Sequence, residues 1–174
     1  MPWEKVSLTG FGKPVKRSGS NQSRRIKMKP RVLIVDDEKE FVESLSERLA
    51  LRECDVQTSL NGADAIEKIK HTNFDVVILD VAMPNMDGVE TLRQIKGIKP
   101  LTEVIMLTGQ ATVETAVEGM QLGALDYVMK PCSTPDLLEK IQKGYERKTE
   151  HEERIREAKV KEFISSPQSV LRQG

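Results

Sequence analysis

The chain has 174 residues, enough for one domain with a proper core and hardly enough for two. Charged residues make up 31% and the formal net charge is zero, so bulk charge points to no class of partner. No apolar run approaches the roughly 20 residues of a membrane helix, and the first 30 residues lack the apolar core of a secretion signal.

Charge is unevenly distributed. Residues 1–30 carry eight Lys or Arg against Glu4 alone, a basic arm ahead of an acidic body. Rich in Ser, Gly, Lys and Arg without periodicity, this arm is expected to be disordered. It accompanies no folded nucleic-acid reader, so a nucleic-acid partner is not expected. Cys54 and Cys132 have neither metal-ligand spacing nor a disulfide framework, which fits a reduced, cytoplasmic protein.

Periodic text begins near Arg31. Val32 to Val35 is a solid apolar run, suited to a strand covered on both faces. Glu38 to Leu51 carries Phe41, Val42, Leu45 and Leu49 at helical spacing. Asp55 to Leu60 is a short strand, Asn61-Gly62 a turn, and Ala63, Ile66 and Ile69 mark a helix to about His71, whose imidazole suits a helix C-terminus. Phe74 to Leu79 is the most apolar strand. Asp87 to Lys96 is a helix with Val89, Leu92 and Ile95 inward, and Glu103 to Leu107 is a strand. Val113, Val117 and Met120 mark a helix ended by Gly123; Asp126 to Met129 is the last strand. Thr134-Pro135 opens a helix, a capping residue followed by proline in the first turn. Helical composition then persists to about Phe163, with Gly144 an interruption costing about 1 kcal/mol relative to Ala. The distal half is nearly all charged: a solvated helix held by ion pairs, or alternatively a dimer or partner contact. His151 within it lacks the surroundings of a phosphorylated histidine.

Five strands alternating with five helices imply an α/β fold, a doubly wound parallel sheet with helices on both faces. Ligands of such sheets bind beyond the carboxyl ends of the strands. The residues ending strands one, three, four and five should therefore meet: Asp36 and Asp37, Asp80, Thr108 and Lys130. Crowded carboxylates repel, and burial raises their pKa further. A divalent cation relieves this, and an all-oxygen donor set suits a hard ion such as Mg²⁺, with Mn²⁺ a substitute. A lysine, a hydroxyl and a metal around one carboxylate make a phosphoryl-transfer site, with Asp80 the nucleophile. Taken singly, the Asp pair would also serve as a helix cap, Thr108 as a strand end, and Lys130-Pro131 as a loop.

Four ordered stretches carry a resemblance: VLIVDDE, VVILDVAMPNMDG, VIMLTG and GALDYVMKP. From about Arg31 to about Tyr145 the chain resembles the receiver domain of bacterial response regulators. The resemblance implies a flavodoxin-like sheet of order 2-1-3-4-5 over residues 31–145; residues 146–174, a charged helical extension and flexible tail, go beyond what a receiver needs. It implies that Asp80 takes a phosphoryl group from a histidine kinase or phosphotransfer protein. Asp37, Asp80 and the carbonyl of Ala82 would ligate Mg²⁺, Asp36 acting mostly through a metal-bound water. Thr108 and Lys130 would bind the phosphoryl oxygens, and Lys130–Pro131 would be cis. Thr108 and Tyr127 would form the switch, presenting a changed face to a downstream protein or a second copy in a phosphorylation-dependent homodimer. Ala82 and Gln110 would flank the path of the attacking water. Residues 109–124 are closer to receivers of nitrogen-regulation-type transcription activators than to chemotaxis ones. The expectation is a stand-alone receiver that assists its own phosphorylation and dephosphorylation and is not otherwise an enzyme. Three rivals remain: a binding module working without phosphate, a DNA-binding regulator using the basic arm, and a metal-dependent phosphatase.

Overall fold

The computed structural model describes residues 29–165. The elements run β1 (Arg31–Val35), α1 (Lys39–Ala50), β2 (Asp55–Ser59), α2 (Gly62–His71), β3 (Val76–Leu79), α3 (Gly88–Ile98), β4 (Glu103–Thr108), α4 (Val113–Gln121), β5 (Asp126–Met129) and α5 (Thr134–Ser165). All strand pairs are parallel, and the order across the sheet is β2-β1-β3-β4-β5. The expected α/β architecture is therefore present. The basic arm expected over residues 1–30 and the tail beyond Ser165 lie, apart from Lys29 and Pro30, outside the described residues.

Side chains alternate along each strand, so each solid apolar run feeds two cores. Leu33, Val35, Val77, Leu79, Val104 and Met106 face one side and pack with Ala65, Ile66 and Ile69 of α2 and Val89, Leu92 and Ile95 of α3. Val32, Ile34, Val76, Ile78, Ile105 and Leu107 face the other, against Val42, Leu45 and Leu49 of α1 and Leu137 and Ile141 of α5. Strands β1, β3 and β4 are almost wholly buried, which is why their sequences show no polar alternation. The chain steps from β1 outward to β2, then returns to place β3 on β1's other side. This reversal opens a crevice at the carboxyl ends of β1 and β3, where no helix crosses between the layers.

Local chemistry sets most helix ends. Asn61 and Asp87 accept the amides of Asp64 and Glu90 as side-chain N-caps of α2 and α3. Thr112 and Thr115 form a reciprocal capping box on α4. Gly123, at φ +94°, closes α4 with its amide on the Met120 carbonyl while Ala124 donates to Gly119, a Schellman arrangement.

Three expectations need correction. The cap of α5 is Ser133, whose Oγ accepts the Asp136 amide at 3.2 Å; Thr134 is already helical. β3 starts at Val76: the Phe74 carbonyl is taken by the Thr102 hydroxyl and the Lys148 ammonium rather than by a neighbouring strand. Gly144 does not interrupt α5. It is buried against the sheet, and a Cβ there would lie 3.0 Å from Val76 Cγ2 and 3.1 Å from Leu125 Cδ2. The glycine's helix-propensity cost is offset by close approach of helix to sheet.

The 32 residues of α5 span about 48 Å at the α-helical rise. Lys148, buried with 6% exposure, clamps the helix at the amino-terminal edge of the sheet. Its Nζ donates to the Phe74 carbonyl at 3.0 Å and Asp75 Oδ1 at 2.9 Å. Arg147 pairs with buried Glu103 at 3.1 Å. Beyond this clamp the helix is exposed and carries Lys148–Glu152 and Glu150–Arg154 pairs. Its exposed apolar residues include Val160 and Ile164 as well as the expected Ile155 and Phe163.

Candidate phosphoryl-acceptor site

The sheet itself delivers the acids. The Asp80 amide donates to the Val35 carbonyl at 2.9 Å and the Asp36 amide to the Ser59 carbonyl at 3.1 Å, so strand pairing carries both residues one step past the ends of β3 and β1. Both carboxylates are buried, and Asp37 beside them is exposed. One oxygen from each of Asp36, Asp37 and Asp80 lies within 4.8 Å of the others. The donor set is oxygen only and partly open to solvent. It fits a hard divalent ion such as Mg²⁺, which tolerates few protein ligands and retains water.

Electrostatics agree with that fit. Burial pushes the Asp80 carboxyl up, and the neighbouring Asp36 charge raises it further, against opposing contributions from Lys130, the Thr108 hydroxyl and the Val81 amide. Positive charge placed among these three acids lowers both costs.

Thr108 closes β4 and is fully buried; its Oγ1 accepts the Gln110 amide at 3.2 Å. Its carbonyl accepts the Lys130 amide at 2.8 Å, fixing the backbone from which the lysine reaches across the sheet ends. Lys130 Nζ lies 2.5 Å from Asp36 Oδ2 and 3.2 Å from Glu38 Oε1, and sits over the Phe41 ring 4.1 Å from its centroid. Burial alone pulls the Lys130 pKa down, but the hydrogen bond to Asp36 and the charges of Asp36, Asp80 and Glu38 outweigh it, so the ammonium is held above its usual value. The Lys130–Pro131 bond is cis.

Ala82 lies exposed in the loop from β3 to α3. That loop contains Asn85 at φ +69° and ends at Gly88, whose amide donates to the Val81 carbonyl at 2.9 Å. A Cβ on Gly88 would fall 2.1 Å from the Asp80 carbonyl oxygen and 2.7 Å from Val81 Cα. Only glycine lets α3 begin this close to the strand end. Tyr127 stands apart from the acids on β5, half-buried, its hydroxyl 2.9 Å from Thr115 Oγ1 on α4.

The structure thus brings Asp36, Asp37, Asp80 and Lys130 together, places Thr108 at the adjoining strand end, and sets Tyr127 against α4. Glu38, Gly88 and Thr115 are not singled out by sequence reasoning, and Phe41 is read there only as a core-facing residue. Two of them have a signal: Glu38 directly follows the acidic pair and Phe41 follows three residues later, the spacing that puts helical neighbours on one side.

The response regulator receiver domain model matches residues 32–142. The chain is 40% identical over 107 residues to the regulatory protein AtoC of Escherichia coli K12, covering 62% of this chain and 23% of AtoC. It is 36% identical over 113 residues to the transcriptional regulatory protein ZraR of Salmonella typhimurium, covering 65% of this chain and 26% of ZraR. The chain therefore spans about a quarter of the length of these relatives. A CheY-like receiver domain structure from Methanospirillum hungatei superposes with a TM-score of 0.69 at 31% identity, covering 71% of this chain and 98% of that one. A Francisella response regulator receiver domain gives 0.63 at 30% identity, covering 68% and 98%. With the sheet order, the acid cluster and these matches in agreement, the chain belongs to the response regulator receiver domain family of two-component systems.

Proposed function

We propose that the protein is a phosphoryl-accepting receiver in which Asp80 takes its phosphoryl group from the phosphohistidine of a histidine kinase or phosphotransfer protein. The observation that carries this reading is the buried Asp80, raised in pKa by desolvation, with Asp36 and Asp37 oxygens within 4.8 Å and Lys130 reaching in from the end of β5 to pair with Asp36. An Asp80 carboxylate oxygen attacks phosphorus; the P–N bond to the donor imidazole breaks, and its electron pair leaves with the imidazole nitrogen, which takes up a proton.

Asp36, Asp37 and Asp80 are the side chains that would hold Mg²⁺ or Mn²⁺, with the Ala82 carbonyl as a further oxygen ligand. Bound there, the ion supplies charge neutralisation for acids and phosphoryl oxygens. Thr108 and Lys130 bind phosphoryl oxygens through a hydroxyl and an ammonium donor. Movement of Thr108 toward the phosphoryl group leaves space behind it, and Tyr127 turns in on losing its Thr115 bond, a shift between two states close in energy. The altered face around residues 108–145 then meets a downstream protein or a second copy. The protein forms no product other than its own phosphorylated and dephosphorylated states, and we place its action in the cytoplasm. Among the described residues no helix is long and apolar enough to cross a membrane.

The test is intact mass after incubation with Mg²⁺ and acetyl phosphate, beside Asp80→Asn and a metal-free sample. One added phosphoryl group, missing in both controls, is the expected result. No addition, either from acetyl phosphate or from candidate histidine kinases, would refute the reading.

A further inference from the structure

The position of Lys130 is the point of departure. It pairs with Asp36 and Glu38 and packs on the Phe41 ring rather than pairing with Asp80, the residue whose phosphoryl group it is proposed to bind. Its ammonium has three donors and no acceptor; two donors are committed to the two carboxylates, and the ring face covers part of the remainder.

Glu38 and the outer face of the Phe41 ring are placed for this contact. Glu38 occupies the N-cap position of α1, yet its side chain makes no capping bond. The Glu38 amide is instead taken by Asp36, whose Oδ1 accepts it at 2.9 Å in a turn two residues long. Glu38 is 68% exposed at its side chain, and among the described residues it pairs with Lys130. Phe41 is only partly buried at the edge of the core formed with α1 and α5, so one ring face is left for the lysine.

We propose that Glu38 and Phe41 form a resting seat for Lys130, holding it off Asp80 until a phosphoryl group is there to bind. The proposal rests on the phosphoryl-acceptor reading and extends it to two positioning residues. The seat is occupied only in the unphosphorylated state. It therefore opposes phosphorylation, because an interaction present in the ground state and lost in the transition state raises the barrier. It is absent both from the phosphorylated protein and from the transition state of its hydrolysis, so it leaves phosphate lifetime unaffected. An exposed ion pair and a part-exposed cation–π contact are each weak, so either loss should speed phosphorylation by about two- to fivefold.

The experiment compares wild type with Glu38→Gln, Phe41→Leu and Phe41→Tyr. Phosphorylation by acetyl phosphate and subsequent dephosphorylation are followed by intact mass, and the Lys130 ε-methylene proton shifts by NMR. Glu38→Gln and Phe41→Leu should phosphorylate about two- to fivefold faster at an unchanged dephosphorylation rate, and Phe41→Tyr, which keeps the ring, should match wild type. The aromatic ring current should move the Lys130 ε-protons upfield in resting wild type and in Phe41→Tyr. That displacement should vanish in Phe41→Leu and when wild type is phosphorylated. A generally loosened site would instead slow phosphorylation or change both rates together, and either result overturns the seat. So does an upfield displacement that survives phosphorylation, since the lysine would not have left the ring. A wild type that shows the displacement but never accepts phosphate would refute the phosphoryl-acceptor reading itself, and the seat with it.

Discussion

Glycine-to-alanine substitution at two positions of α3 should have opposite signs. At Gly88 the new Cβ would lie 2.1 Å from the Asp80 carbonyl oxygen, 2.7 Å from Val81 Cα and 2.9 Å from the Asp80 carbonyl carbon. These are backbone atoms of the strand end, so no rotamer change relieves the overlap. The start of α3 must back away by about 1 Å or more to restore ordinary contact, stretching the 2.9 Å Gly88–Val81 hydrogen bond. Overpacking of this kind costs about 1–3 kcal/mol, and the bond about 1 kcal/mol more. At Gly97, in the last turn of the same helix, a Cβ meets nothing within 4 Å. There Ala only restricts the unfolded chain and improves helix propensity, a gain of about 0.5–1 kcal/mol. Urea unfolding followed by circular dichroism at 222 nm measures both. Gly88→Ala should lower the midpoint, Gly97→Ala should raise it, and the two should be separated by about 2.5–5 kcal/mol. A Gly88→Ala protein as stable as Gly97→Ala would refute the close-approach argument. Because the overlap is with Asp80's own carbonyl, Gly88→Ala should also weaken Mg²⁺ binding in calorimetric titration, whereas Gly97→Ala should not.

Lys148→Met removes an ammonium bonded to the Phe74 carbonyl and to Asp75 Oδ1, leaving the carbonyl with the Thr102 hydroxyl alone and the carboxylate with the Arg31 amide; a loss of about 1–3 kcal/mol is expected in the same urea assay. An unchanged midpoint would mean that the clamp adds nothing. The raised Asp80 pKa has a definite sign: the native state holds this proton more tightly than the unfolded chain, so its stability falls as pH rises above the ordinary value of 3.8. Metal-free Asp80→Asn should therefore be more stable than wild type at pH 7, and the gap should shrink as pH drops toward 4; a gap independent of pH would contradict this. Thr115→Val removes the N3 half of the α4 capping box and the Tyr127 hydroxyl partner while Thr112 keeps its own cap bond, with about 0.5–1.5 kcal/mol expected from the lost hydrogen bond. The Tyr127 ring resonances should shift with it in NMR, and their staying fixed would argue against the Thr115 anchor.

Much of this protein is legible in its residues alone. Strands buried on both faces must be apolar throughout, so Val32–Val35 and Val76–Leu79 are recognisable as central strands of a parallel sheet. In such a sheet all carboxyl ends lie on one edge. Asp36, Asp80, Thr108 and Lys130 can accordingly be grouped although up to 94 residues separate them. Local turn chemistry marks most helix ends as well, Asn61 and Gly123 among them.

Tertiary structure decides what those groups do with one another. Sequence places Lys130 at the end of β5, but whether its ammonium rests on Asp80 or on Asp36, Glu38 and Phe41 depends on how the ends of β1, β3 and β5 and the start of α1 are spaced. Lys148 lies in a stretch whose charged neighbours imply a solvated helix. It is buried because the carbonyl of Phe74 and the carboxylate of Asp75, more than seventy residues earlier, await it at the sheet edge. Gly144 is a weak point by intrinsic propensity, yet it allows α5 to lie against Val76 and Leu125. Periodicity and turn chemistry are carried by neighbours in the chain and can be read there. Pairing of buried charges and close approach of backbones depend on contacts between distant segments, and only the folded chain sets those distances.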